Sequence, residues 1–122
     1  MVKVIADTSF LIHFATHRIK NIDYIETEIG PLSFIVPQIV KNELEHLAED
    51  PDKKLISEQT LYFIKNFNTN EINGKDADSA ILDFVKENRS IVATMDKELK
   101  NKIKQSGSSI LSIHNDKIVL EN

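Results

Sequence analysis

The chain of 122 residues contains no cysteine. That excludes disulfides, thiolate metal sites and a cysteine nucleophile, and it fits a reducing compartment. Nowhere do 18 apolar residues follow one another, and the opening MVKVIADT has no long apolar region behind a basic one. Neither a spanning helix nor an export signal is therefore expected, and a cytoplasmic location is. There is no glycine-rich phosphate loop, which argues against nucleoside triphosphate hydrolysis, and the three glycines and three prolines are scattered as punctuation. The four histidines, His13, His17, His46 and His114, share no ligand or triad spacing, and the run Glu43-Leu44-Glu45-His46 is not a zinc-protease helix. Repeats and low-complexity tracts are absent too.

What is present is an ordinary globular composition, 41% hydrophobic and 28% charged. The length suits one domain over residues 1–122 with a single core. A formal net charge of −4 speaks mildly against a partner held by bulk charge attraction.

Residues 2–6 read as a strand, and Ser9 to Ala15 as a helix with Phe10, Leu11 and Phe14 on one side. IDYIETEIG, 22–30, reads as a short helix stopped by Gly30-Pro31. SFIV, 33–36, is a strand, and Pro37 can open a helix over 38–48 because its missing N–H costs least there. A helix over 54–66 has Leu55, Ile56, Leu61, Phe63 and Ile64 as its apolar set. Helix 77–87, strand 90–94 and helix 97–105, closed by Gly107, follow. Two strand-like runs, SSILSI and KIVL, are joined by the turn HND. Alternating strands and helices predict a three-layer α/β/α fold with a central, mainly parallel sheet.

The acids raise the functional question. Asp7 falls at the carboxyl end of the first strand, Asp96 just past that of strand 90–94, and Asp78 near a helix start. Active sites of open parallel sheets form along that edge. Each acid alone could be a helix cap, a role that Asp76 can fill for its helix and so leave Asp78 free. Glu43 lies one turn from Ile39 and one from Leu47, which predicts a carboxylate turned toward the core that needs a partner, a raised pKa or a metal. Carboxylates converging on one point repel each other unless a cation neutralises them. Oxygen ligands of this kind suit Mg²⁺ or Mn²⁺, and two such ions can activate water and stabilise the leaving oxygen of a phosphodiester.

The set VIADTSFL, VPQIVKNELEHL, DADSAIL and IVATMDKELKNKI resembles the PIN-domain nucleases over residues 2–113, with Asp7, Glu43, Asp78 and Asp96 in that family's order. The resemblance implies a helix-flanked sheet and a metal-dependent ribonuclease site built from those four acids. Thr8 or Ser9 would assist near the first Asp and Thr94 before the last. Asp78 is the expected third ligand and Asp76 the alternative. Met95 stands where many relatives carry a polar residue. Two roles are implied alike, a VapC-type toxin held by a small antitoxin and an RNA-processing nuclease with a ribosome-assembly partner. Homodimerisation through helices near 10–30 and 54–66 is implied by analogy.

On the substrate side, setting the four acids aside removes the whole excess of negative charge, so bound metal would draw the phosphate. Lys97, Lys100 and Lys104 share a helix face beginning beside Asp96 and could steer an RNA backbone. A solvated face serves those lysines equally well. Two other classes are weighed against the nuclease. One is a PIN-fold binding module without catalysis. The other is a phospho-accepting receiver, which needs an acid pair where Asp7-Thr8-Ser9 supplies one.

Overall fold

In the computed structural model, residues 2–20, 29–72 and 74–121 are described. The expected helix at 22–30 lies almost wholly outside them. The chain runs β1 (Val2–Ala6), α1 (Thr8–Thr16), β2 (Leu32–Pro37), α2 (Gln38–Leu47), α3 (Lys54–Phe63), β3 (Asn68–Asn70), α4 (Ala77–Glu87), β4 (Ile91–Ala93), α5 (Lys97–Gln105), β5 (Ile110–His114) and β6 (Lys117–Glu121).

The strands form one sheet in the order β3-β2-β1-β4-β5-β6. All neighbours are parallel except β5 and β6, which pair antiparallel. β1 sits at the centre because its residues tolerate burial on both faces: Val4, Ile5 and Ala6 are almost completely buried, as are Val92, Ala93, Ile110 and Leu111 beside them. α1, α2 and α3 pack on one another and α4 packs on α5, the grouping that right-handed crossovers give in a three-layer fold. The β5–β6 hairpin turns through Asn115 and Asp116, whose φ angles of 52° and 61° suit the short polar side chains at HND.

The helix following residue 53 departs from expectation. Its anticipated apolar set is largely outside, with Leu55 at 78% exposure and Ile56 and Phe63 also exposed, whereas Ser57 and Thr60 are buried. The helix turns its 57/60/64 face inward, and the Thr60 hydroxyl is satisfied by donating to the Ile56 carbonyl 2.8 Å away. Phe63 still touches the core at its edge, packing against Phe14 and Phe67 at 5.2 and 5.6 Å between ring centres. β3 is also unanticipated: Asn-Thr-Asn has no strand pattern, and it pairs only because the return from α3 lays it along β2. Pro37 ends β2 as the residue before α2, a position that needs no backbone donor.

The strand order reverses direction at β1. The chain leaves β1 for β2 on one side and returns from β3 to β4 on the other, so the carboxyl ends of β1 and β4 flank a crevice. The Asp7 N–H donates to the Ala93 carbonyl at 3.0 Å and closes its floor.

Candidate active site

Asp7 leaves β1 in extended conformation and caps α1, its Oδ1 accepting from the Phe10 N–H at 2.9 Å. Capping is not its whole role, because only 3% of the residue is exposed. The Ser9 hydroxyl bonds to both of its oxygens, at 2.9 and 3.2 Å, and the Thr94 hydroxyl donates to Oδ2. These bonds favour the ionised form, but burial outweighs them and pushes the Asp7 carboxyl up to about 6. Asp78 adds to that rise by its own charge.

The same hydroxyls tie β1 to β4. Thr94 Oγ1 accepts from the Asp96 N–H at 3.1 Å, and Ser9 Oγ accepts from the Met95 N–H at 3.1 Å. Position 95 thus contributes through its backbone. Its side chain turns away, and its sulfur accepts from the Ile113 N–H at 3.3 Å. The Thr8 hydroxyl is buried beside Asp7 without a partner, the one such side-chain atom among the described residues.

Asp96 caps α5 by accepting from the Leu99 N–H at 3.1 Å. Asp76 caps α4 as expected, accepting from the Ser79 N–H at 2.8 Å and the Ser79 hydroxyl at 3.1 Å. These bonds hold the Asp76 carboxyl below the usual range. Asp78, in the first turn of the same helix, has no cap duty. Burial first, then the charges of Asp96, Asp76 and Glu43, raise its pKa. Asp78 therefore stands between the acids at this edge, feeling the charges of Asp96, Asp76 and Glu43 and acting in turn on Asp7.

Glu43 corrects one expectation. It is exposed, not turned into the core, because α2 buries Val40 and Leu44 and leaves position 43 on the flank of that stripe. It is not a buried carboxylate in need of a partner; the charge that it exerts on Asp78 is what brings it to the crevice. Asp76, Asp78 and Asp96 are exposed as well. As the side chains stand, no three acid or imidazole groups among the described residues converge closely enough to hold one ion.

The lysine stripe is also corrected. Lys100 and Lys104 form ion pairs with Glu121 at 3.3 and 3.0 Å, and the Lys100 side chain is only 12% exposed. They brace α5 against β6, and Lys97 alone of the three stays exposed without such a pair. The lysine that faces the acids is Lys102, which lowers the pKa of both Asp76 and Asp78. Sequence reasoning passed over it by following the 97/100/104 face; the 98/102/105 face borders the crevice.

An acidic edge at the switch point of a mainly parallel, three-layer sheet is the architecture of the PIN class of nucleases. The model of the PIN like domain family matches residues 4–115, and the chain belongs to the PIN-domain nuclease family. It is 36% identical to Ribonuclease VapC4 of Methanocaldococcus jannaschii over 96% of this chain and 94% of that protein. Among solved structures it is similar to the PIN domain endonuclease Utp24, with a TM-score of 0.80 and 28% identity, covering 98% of this chain and 90% of that one. A domain of a functionally unknown protein from M. jannaschii shares the fold alone, at a TM-score of 0.62 and 21% identity over 93% and 92% of the two chains. No helix among the described residues is long and apolar enough to cross a membrane.

Proposed function

We propose that the chain is a divalent-metal-dependent endoribonuclease in which Asp7, Glu43, Asp78 and Asp96 hold Mg²⁺ or Mn²⁺. The observation that carries this reading is the position of Asp78, whose carboxyl is raised by burial and then by three neighbouring acids, while its own charge adds to the rise that burial imposes on Asp7. Such mutual repulsion at the carboxyl edge of a sheet is relieved by a cation. The donors fit a hard divalent ion: they are all carboxylate oxygens, with an unpartnered hydroxyl, Thr8, beside the first of them. Asp7 is fixed and Asp96 is held by its cap bond from the Leu99 N–H, whereas Glu43 and Asp78 are exposed side chains without such a bond.

When bound, the ion would supply a water activated near neutral pH and a Lewis acid for the phosphoryl oxygens. The rest is done by the chain. Ser9 and Thr94 hold Asp7 in one orientation and lower its proton affinity, so that it is mostly ionised above pH 6. Thr94 orients Asp96 at the same time, through its backbone N–H. Without a cation the four acids would repel an RNA phosphate, which makes substrate binding itself depend on metal. The relatives named for ribonuclease and endonuclease activity support RNA as substrate and cleavage within the chain, and the likeness to VapC4 supports a toxin role with an antitoxin partner.

The test is cleavage of single-stranded RNA with Mn²⁺. Loss of cleavage on chelation and in Asp7→Asn is expected. Activity that survives both overturns the proposal.

A further inference from the structure

Two shallow cavities lie end to end between α4 and α5. The first is lined by Asp78, Leu82, Glu98 and Lys102, and the second by Leu82, Lys86, Lys102 and Gln105. Shared walls at Leu82 and Lys102 make them one trough. Helical spacing explains its lining, since 78, 82 and 86 fall in one row of α4, and 98, 102 and 105 in one row of α5. Both helices start at the acidic edge, so the trough begins at the candidate active site and runs about 12 Å down α4 from Asp78 to Lys86.

Its charge changes sign along the way. Acids stand at the mouth, and beyond them come Lys102 and then Lys86, with the Gln105 amide between. Among the described residues Glu98 is the only acid on the walls past Asp78. It pairs with Lys102 at 3.3 Å, but the two side chains are 80% and 54% exposed. An exposed pair of this sort is worth little and yields readily to a phosphate. Lys86 forms no hydrogen bond or ion pair among the described residues. Among the described residues no aromatic ring lines either cavity, and none offers a platform for base stacking.

We propose that the α4–α5 trough is the track along which a single RNA strand leaves the active site, with Lys102 and Lys86 binding successive backbone phosphates. This rests on the nuclease reading and adds to it the path of the substrate. The cavities are small, about 40 and 190 Å³, so the strand lies along their rim and is held through its backbone. Recognition through phosphates alone, without stacking, makes the track indifferent to base sequence. Lys100 and Lys104, held by Glu121, take no part.

The experiment is anisotropy of a labelled single-stranded RNA across a salt series, beside steady-state cleavage with Mn²⁺, for the wild type, Lys86→Ala, Lys102→Ala, the double variant and Lys54→Ala as an off-track control. Each phosphate contact to a single strand steepens the logarithmic salt dependence by about 0.7, roughly fourfold in affinity at 0.15 M salt. The double variant is expected to bind about fifteenfold more weakly, with the slope reduced by about 1.4 and a matching rise in KM. Lys54→Ala is expected to match wild type. Equal loss in Lys54→Ala, or wild-type affinity and KM in the double variant, overturns the track while the nuclease reading stands. A wild-type chain that binds RNA but never cleaves it overturns the nuclease reading and the track with it.

Discussion

The hydroxyl of Thr94, at the end of β4, donates to Oδ2 of Asp7, at the end of β1, and is buried with it. The bond crosses the switch point of the sheet, and it opposes the desolvation that raises Asp7.

Replacing Thr94 by Val keeps the shape and removes the donor. Asp7 then loses the strongest influence that lowers its pKa, so the acid limb of the cleavage pH profile is expected to move to higher pH. Buried Asp7 also loses a partner, at a cost of about 1–3 kcal/mol in stability. Cleavage rates across pH 5–9 together with denaturant unfolding check both effects.

Asp7→Asn is expected to abolish cleavage and yet stabilise the metal-free chain at pH 8. The folded carboxyl titrates at about 6 and the free one at 3.8, so the folded state holds its proton more tightly. Stability in chelator therefore falls as pH rises from about 4 to about 6 and is flat beyond, by up to about 3 kcal/mol. The Asn variant lacks this dependence. Melting temperatures in chelator at pH 4.5 and pH 8 measure it, and equal pH slopes in the two proteins would refute it.

Glu43 separates a ligand from a bystander. Because it is exposed and not part of the core, Glu43→Gln should leave stability within about 0.5 kcal/mol of wild type. If it holds metal, cleavage falls on the order of a hundredfold or more. An unchanged rate removes Glu43 from the site.

Metal addition should raise the melting temperature at pH 8, since cations relieve the repulsion centred on Asp78. The gain is expected to shrink below pH 6, where Asp7 takes up a proton, and to be lost in Asp78→Ala. Differential scanning with Mn²⁺ in both proteins is the measurement.

Glu121 makes a separate prediction for the fold. The Ser112 hydroxyl at 2.6 Å, then Lys104 and Lys100, hold its carboxyl down to about 2, against an ordinary 4.5. A depressed carboxylate stabilises the fold above pH 4.5 and stops doing so as pH falls toward 2. Glu121→Gln should cost about 1–2 kcal/mol at pH 7, less than the shift alone implies because the side chain is a quarter exposed, and nearly nothing at pH 2.

The elements that carry the acids were legible because their signals are local. Runs such as VKVIA and IVA can only be buried strands, and Asp7, Asp76 and Asp96 stand where helices start. Asp78 could be singled out because Asp76 fills the cap. Glu43 was expected to turn into the core and does not: a helical wheel gives the direction of a side chain but not which flank of the stripe meets neighbouring helices. Lys100 and Lys104 were misread because their partner, Glu121, comes 21 and 17 residues later and reaches them only through the β5–β6 hairpin. The burial of Ser57 and Thr60 in place of Leu55 and Ile56 was likewise set by tertiary packing, which overrides a periodicity this weak.

Asp7, Asp76 and Asp96 each begin a helix by accepting a backbone N–H. A descendant that abandoned catalysis would still lose about 1 kcal/mol for each of these acids it gave up. Selection for folding alone would therefore keep them in place, and a silent homologue would display the same signature in its sequence as a working one. Asp78 and Glu43 carry no such obligation, so under the proposed metal site they are the positions where lost activity would first be written.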